Sequence, residues 1–147
     1  MTDLGTIKDW MTSDILSIAE STSIIDADAM MREHGIRRLP VTNKAGKLAG
    51  IVTKGDVREA SPSDATTLSI WEINHLIAKL QVKDVMTKNV MTIGPDADFI
   101  DAADLMLNKK VSGLHVVDAS GTLVGIITES DIFRMLVKSR LQLNTPS

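Results

Sequence analysis

Cysteine is absent from the chain. That excludes disulfides, thiolate metal sites and a cysteine nucleophile, and it is compatible with a reducing cytoplasm. No apolar run approaches the roughly 18 residues needed to cross a bilayer. The opening Met1-Thr2-Asp3-Leu4-Gly5 lacks a basic stretch followed by an apolar one, so a secretory signal is not expected. Excess positive charge is missing too. With a formal net charge of −3, no global field draws the protein to nucleic acid. His34, His75 and His115 stand at no metal-ligand spacing, and each is expected to be structural or exposed. There is no Gly-x-Ser-x-Gly elbow, no Ser-His-Asp order, and no Gly-Lys-Ser/Thr after Gly50 or Gly55 to make a P-loop. These absences predict a cytoplasmic protein that is no enzyme, requires no cofactor or metal, and contacts neither nucleic acid nor membrane.

What is present is enough for a core. The 147 residues are 44% hydrophobic and 24% charged, near the averages for globular domains. A chain of this length buries roughly two-thirds of its unfolded surface. The dominant feature is a duplication. Gly50-Ile51-Val52-Thr53-Lys54-Gly55-Asp56 returns as Gly125-Ile126-Ile127-Thr128-Glu129-Ser130-Asp131, and Ile7-Lys8-Asp9-Trp10-Met11-Thr12 as Val82-Lys83-Asp84-Val85-Met86-Thr87. From Ile7 to Arg58 the register against Val82 to Phe133 holds without a gap. Two copies are too few for a solenoid, so a pseudo-two-fold pair is expected.

Residues 1–6 read as a loose arm. In the first copy, Ile15–Ile18 reads as a short strand. Ser23–His34 reads as a helix with Ile24, Ala27, Met30/Met31 and His34 at helical spacing on one stripe, acidic residues opposite, and Gly35 as its stop. Leu39–Thr42 reads as a strand, with Pro40 expected at its start or on an edge. A turn at 43–47, a returning strand Leu48–Val52 and a helix from just after Thr53 to about Ala60 complete the copy. Ser61–Thr67 is a polar, turn-rich linker. A helix capped by Ser69 then runs to about Leu80, with Ile73, Leu76, Ile77 and Leu80 as its stripe and Trp71 expected to pack. The second copy repeats the order: strand Val90–Ile93, helix Asp98–Lys109, strand Leu114–Val117, turn, strand Leu123–Ile127, and a helix from Glu129 to Lys138 or beyond. Residues 143–147 are expected to fray. The methionines sit mostly at apolar positions and are expected to fill core. Each copy is thus β-α-β-β-α, and the whole an α/β (α+β) protein with small mixed sheets.

Thr53…Asp56 and Thr128…Asp131 admit two compatible readings. A Thr N-cap with an acid three residues later satisfies free N–H groups at a helix start and complements its dipole. The same corner presents N–H groups and a hydroxyl to phosphate, while an Asp accepts from ribose hydroxyls. The glycine ahead of it lets backbone or ligand approach closely.

Strand, helix, strand with a Leu-Pro-Val step, glycine turn and Gly-Ile-Val/Ile-Thr-x-x-Asp, introduced by Lys-Asp-Trp/Val-Met-Thr, resemble the cystathionine-β-synthase (CBS) domain. The doubled arrangement resembles a tandem CBS pair, or Bateman module. The resemblance covers 7–58 and 82–137, most of the chain, and implies a stand-alone pair: CBS domain 1 over 7–60, a linker with a helix over 61–81, and CBS domain 2 over 82–140. It further implies two clefts between pseudo-two-fold-related half-domains that bind AMP, ADP, ATP or S-adenosylmethionine as regulatory ligands. One cleft would combine Thr128 and Asp131 with Ser17, Ile18, Arg38, Leu39 and Pro40. The other would combine Thr53 and Asp56 with Thr92, Ile93, Gly113, Leu114 and His115. In this picture the Asp holds ribose, the Thr helps hold phosphate, and the apolar strand residues sandwich adenine.

Arg37 and Arg38 correspond to Ser112 and Gly113 in the second copy. A guanidinium binds phosphate in a bidentate, always-charged manner, so the Arg38/Asp131 cleft is expected to favour phosphorylated nucleotides; the alternative is that both arginines are solvated surface. His115-Val116 replaces the Pro-Val step, a departure that bears on the Asp56 cleft. CBS pairs commonly dimerise through helices, so the stripes following Asp56 and Asp131 imply a homodimer that signals to an unknown regulated protein. The competing expectation is a structural or protein-interaction module with empty clefts, in which Thr and Asp are caps only.

Overall fold

A computed structural model describes residues 5–61 and 68–143. Most of the expected loose arm, the linker and the fraying tail lie outside them. The β-branched runs fold as strands and the 3.6-residue stripes as helices, in matching order in both copies. The first copy supplies α1 (Ile7–Trp10), β1 (Ile18–Ala19), α2 (Ile24–His34), β2 (Arg38–Thr42), β3 (Leu48–Thr53) and α3 (Lys54–Ala60). After α4 (Ile70–Lys79), the second copy supplies α5 (Val82–Val85), β4 (Thr92–Ile93), α6 (Phe99–Lys109), β5 (Gly113–Val117), β6 (Leu123–Thr128) and α7 (Glu129–Leu143). Each copy builds one three-stranded mixed sheet, in the orders β1-β2-β3 and β4-β5-β6. In each, the first pair is parallel and the second antiparallel.

The first strand of each sheet has only two residues, fewer than expected. Pro40 is neither first in its strand nor on an edge: it is the third residue of the central strand β2, opposite Ile51. Ile51 directs its own N–H and C=O to Thr87, at 2.9 Å each way, so Pro40 faces a residue that makes no ladder bonds toward it. On the other side, β1 begins only at Ile18 opposite Val41. In the second copy the parallel pairing starts one position earlier, at Thr92 opposite His115. The equivalent Ser17–Pro40 pair is missing because proline has no N–H to give.

The helices start and stop on local chemistry. Ser23 Oγ accepts from Asp26 N–H at 3.0 Å, and Gly35 closes α2 in the left-handed region at φ 62°. At the equivalent position Lys110 closes α6 at φ 56°, a conformation that costs any residue with a Cβ. In the β5–β6 turn, Asp118 accepts from Ser120 Oγ at 2.7 Å and Thr122 N–H at 3.0 Å. These bonds, the Ser120 hydroxyl first, hold its carboxyl below the usual 3.8. Their contribution is therefore present above that pH and fades as pH falls through the lowered value.

The chain divides into two compact units, and they cut across the repeats. Residues up to Ile15 join those from Met91 onward, while Leu16–Val90 form the other unit. Helix α1, at the head of the first copy, packs with the second copy's sheet: Ile7 N–H donates to Ala97 O at 3.0 Å, and Thr12 and Ile126 exchange two bonds of 2.9 Å. Conversely, α5 heads the second copy but bonds to Glu20 and Thr22, with Val82 N–H at 2.8 Å from Thr22 O. Ile7 accordingly lies fully buried with Phe99, Leu114 and Ile127, and Val82 with Met31, Leu39 and Val52. Met31, Met106 and Met135 are buried in these cores, as their apolar positions predict.

Helix α4 departs from expectation. Ile73, Ile77 and Leu80 are only half-buried, while Leu76 is 49% exposed and Trp71 81% exposed. Trp71 precedes Ile73 by two residues, which turns it away from the face that Ile73 and Ile77 share. It does not pack. Among the described residues, no helix is long and apolar enough to cross a membrane.

Candidate functional site

Each sheet ends in a corner where its last strand runs directly into a helix. In the first copy Val52 is buried and Thr53 stays extended at φ −119° and ψ 165°. Thr53 Oγ1 accepts from Asp56 N–H at 3.0 Å, and Thr53 N–H donates to Asp56 Oδ2 at 2.9 Å. This reciprocal pair caps α3, so the capping role is met. It leaves Asp56 Oδ1 and the Thr53 hydroxyl proton without partners among the described residues. Both residues are half-exposed.

The second corner is closed more tightly. Asp131 is 2% exposed. Its Oδ2 accepts from Thr128 N–H at 2.9 Å and Thr128 Oγ1 at 3.1 Å. Its Oδ1 accepts from the Arg134 guanidinium at 2.7 Å and Thr12 Oγ1 at 3.4 Å. The first copy has Glu59 where Arg134 stands, so Asp56 gains no such cation. One corner therefore holds a carboxylate with spare acceptor capacity; the other uses both oxygens internally.

The glycine ahead of each corner is explained by backbone rather than by ligand. A Cβ on Gly125 would lie 2.6 Å from Met11 Sδ and 2.9 Å from Thr12 O; on Gly50 it would lie 2.7 Å from Thr87 O. Neither distance is tolerable.

The other residues singled out from sequence fall into two sets. Ser17, Ile18, Arg38, Leu39 and Pro40 share a unit with Thr53 and Asp56; Thr92, Ile93, Gly113, Leu114 and His115 share one with Thr128 and Asp131. Arg38 lies directly opposite Thr53 in the β2–β3 ladder, and Gly113 opposite Thr128 in β5–β6. Leu39 and Leu114 are fully buried and Ile18 nearly so, each in the core of its own unit. Pro40 and His115 are also buried, whereas Ser17, Arg38 and Thr92 are exposed. Among the apolar strand residues, Ile93 is the half-exposed one.

Arg37, Arg38 and Thr53 line one open depression of about 440 Å³ together with Lys54, Gly55 and Arg58. Sequence reasoning passed over Lys54 and Arg58, and likewise Thr12 and Arg134 as partners of Asp131. The signal was available for the first two. At the matching positions the second copy carries Glu129 and Phe133.

Comparison with known proteins bears on these corners. The family model for the CBS domain matches residues 7–63 and 82–138. The chain is 34% identical to the uncharacterized protein MJ1426 of Methanocaldococcus jannaschii, with 89% of this chain and 90% of that one covered. CBSX2, a CBS-pair protein of Arabidopsis thaliana solved in complex with AMP, superposes with a TM-score of 0.74 at 30% identity, covering 92% of this chain and 98% of that one. The CBS domain pair of protein MJ0100, solved with 5-methylthioadenosine and S-adenosyl-L-methionine, gives 0.67 at 29% identity, covering 91% and 97%. Against longer relatives, an inosine-5'-monophosphate dehydrogenase of Korarchaeum cryptofilum among them, the chain spans 23% of the relative's length. With the doubled family match and the same mixed α/β architecture in its structural neighbours, the chain belongs to the CBS domain family as a tandem CBS pair.

Proposed function

We propose that this CBS pair is a regulatory module that binds an adenosine-containing ligand, AMP, ADP, ATP or S-adenosylmethionine, and signals to a partner protein. The observation that carries this reading is the pair of Thr-x-x-Asp corners in a fold whose neighbours hold AMP or S-adenosyl-L-methionine. At the first corner Asp56 has an oxygen open to a ribose hydroxyl and Thr53 a hydroxyl proton open to phosphate. At the second, Asp131 and Thr128 take the same roles only by giving up an internal partner. Ser17, Arg38, Thr92 and Ile93 add exposed or half-exposed surface. Leu39 and Leu114 turn into their own cores, so what they offer a ligand is backbone. A ligand that prefers one arrangement of the module shifts its population toward that arrangement, which is the physical route to a signal. Catalysis is not part of the reading.

A thermal-shift panel with AMP, ATP and S-adenosylmethionine tests it. Ligand at 100 times Kd stabilises the native state by about 2.7 kcal/mol, a rise of roughly 5–10 °C for a chain of this size. Asp56→Asn is expected to weaken binding by about tenfold or more, the worth of a hydrogen bond to a charged acceptor. If none of the three ligands moves the melting temperature, the sensing role is wrong. A second reading, that a Thr-Asp pair is only a cap, is favoured at the second corner by the internal use of both Asp131 oxygens. Unchanged affinity in Asp131→Asn beside lost affinity in Asp56→Asn would assign that corner to capping.

The homodimer reading rests on exposed apolar residues. Helix α3 is short and supplies little beyond Val57, whereas α7 leaves Phe133, Leu136 and Val137 exposed at 63%, 52% and 61%. A solution mass of one chain would remove the dimer from the proposal.

A further inference from the structure

The two corners are copies of one design, yet they differ in charge. The first is lined by four cations, Arg37, Arg38, Lys54 and Arg58, around Thr53 and Gly55. Their counterparts in the second copy are Ser112, Gly113, Glu129 and Phe133. Of these, Glu129 and Phe133 line a different kind of hollow, about 200 Å³, walled by Ala103, Met106, Leu107 and Ile132. Duplication made the corners equal. Substitution has since given one a depression lined by cations alone, beside the Asp56 carboxylate, and the other an apolar wall.

No ion pair among the described residues engages any of the four cations. Arg37, Arg38 and Arg58 are exposed and Lys54 is half-buried, so none of the four charges is taken up by an internal carboxylate. Four like charges around one concavity repel one another, and a concavity lined by one sign concentrates counter-ions. A single phosphate brings about two negative charges, half of what the lining neutralises. We infer that the copy-one corner takes a polyphosphate chain, so that a nucleoside triphosphate binds there in preference to a monophosphate, while the copy-two corner makes no such distinction. The inference rests on the adenosine-ligand reading above and names the ligand class within it. Planar guanidinium forks suit successive phosphates, with Arg37 and Arg58 reaching those beyond the first.

Calorimetric titration of the full chain with AMP, ATP and inorganic tripolyphosphate, repeated on the double variant Arg37→Gln/Arg58→Gln, tests the assignment. Wild type is expected to bind ATP about tenfold or more tighter than AMP, a margin equal to one recovered charge-assisted contact. Tripolyphosphate should compete with ATP, and added salt should narrow the margin because the cations are exposed. In the variant the ATP-to-AMP ratio should collapse toward one. Melting without ligand verifies that the variant is folded. Equal affinity for AMP and ATP in wild type, or a ratio that survives in the variant, overturns the polyphosphate assignment and leaves the adenosine reading standing. Tripolyphosphate bound and lost in the variant, with no adenosine ligand bound, upholds the anion corner and removes the adenosine reading. If nothing binds, both fall.

Discussion

Truncating Phe99 to alanine is expected to destabilise the protein by about 3–5 kcal/mol, the range for removing a buried aromatic and leaving a cavity. Phe99 is 1% exposed and opens α6 against fully buried Ile7, Leu114 and Ile127. Its counterpart in the first copy is Ile24, also fully buried. The larger side chain is therefore a peculiarity of one core, and that core has closed around it. A loss of this size corresponds to a melting temperature lower by about 10 °C for a chain of 147 residues. Urea denaturation measures it, followed through Trp10, which belongs to the unit containing Phe99 and is half-buried where Trp71 is exposed. Phe99→Leu, which keeps most of the volume, should be markedly milder. A loss under about 1 kcal/mol for the alanine variant would mean the core refills the space and is not close-packed as described.

Replacing Gly125 with valine should cost about 2–4 kcal/mol, summing overpacking and disturbed backbone hydrogen bonds. The clash is with Thr12 O as well as Met11 Sδ. A methionine tip can swing aside; a carbonyl held by Ile126 N–H at 2.9 Å cannot move without opening the bridge that fastens the leading segment to β6. Gly94→Ala is the control, because a Cβ there meets nothing within 4 Å, and it should be neutral or slightly stabilising. Equal melting temperatures for Gly125→Val and Gly94→Ala would show that the close approach carries no stability.

Much of this architecture was legible beforehand, for identifiable reasons. The stripe Ile24, Ala27, Met31 and the glycine after it describe α2 almost to its ends, because periodicity and capping are local and the helix obeys both. The doubled Thr-x-x-Asp corner was legible because its bonds join residues three apart. Trp71 was expected to pack, but its angular position on α4 turns it off the face that Ile73 and Ile77 share. Pro40 was misplaced because its tolerance depends on what Ile51 does with its own polar groups, and those go to Thr87, a residue of the following copy. The closure of Asp131 was half out of reach: Thr12 lies 119 positions away, whereas Arg134, three residues on and matched by Glu59 in the first copy, was local and was passed over. Long-range partners were the main blind spot.

The exchanged leading helices bear on how such a chain arose. A solitary ancestral copy, folded this way, would have had to lend its opening dozen residues to a neighbouring molecule and borrow that neighbour's in return. Fusing two such genes end to end would have kept the exchange while making its partners permanent. Cutting the present chain at the repeat boundary would undo that bargain, leaving each fragment with a foreign helix and a hole where its own had been.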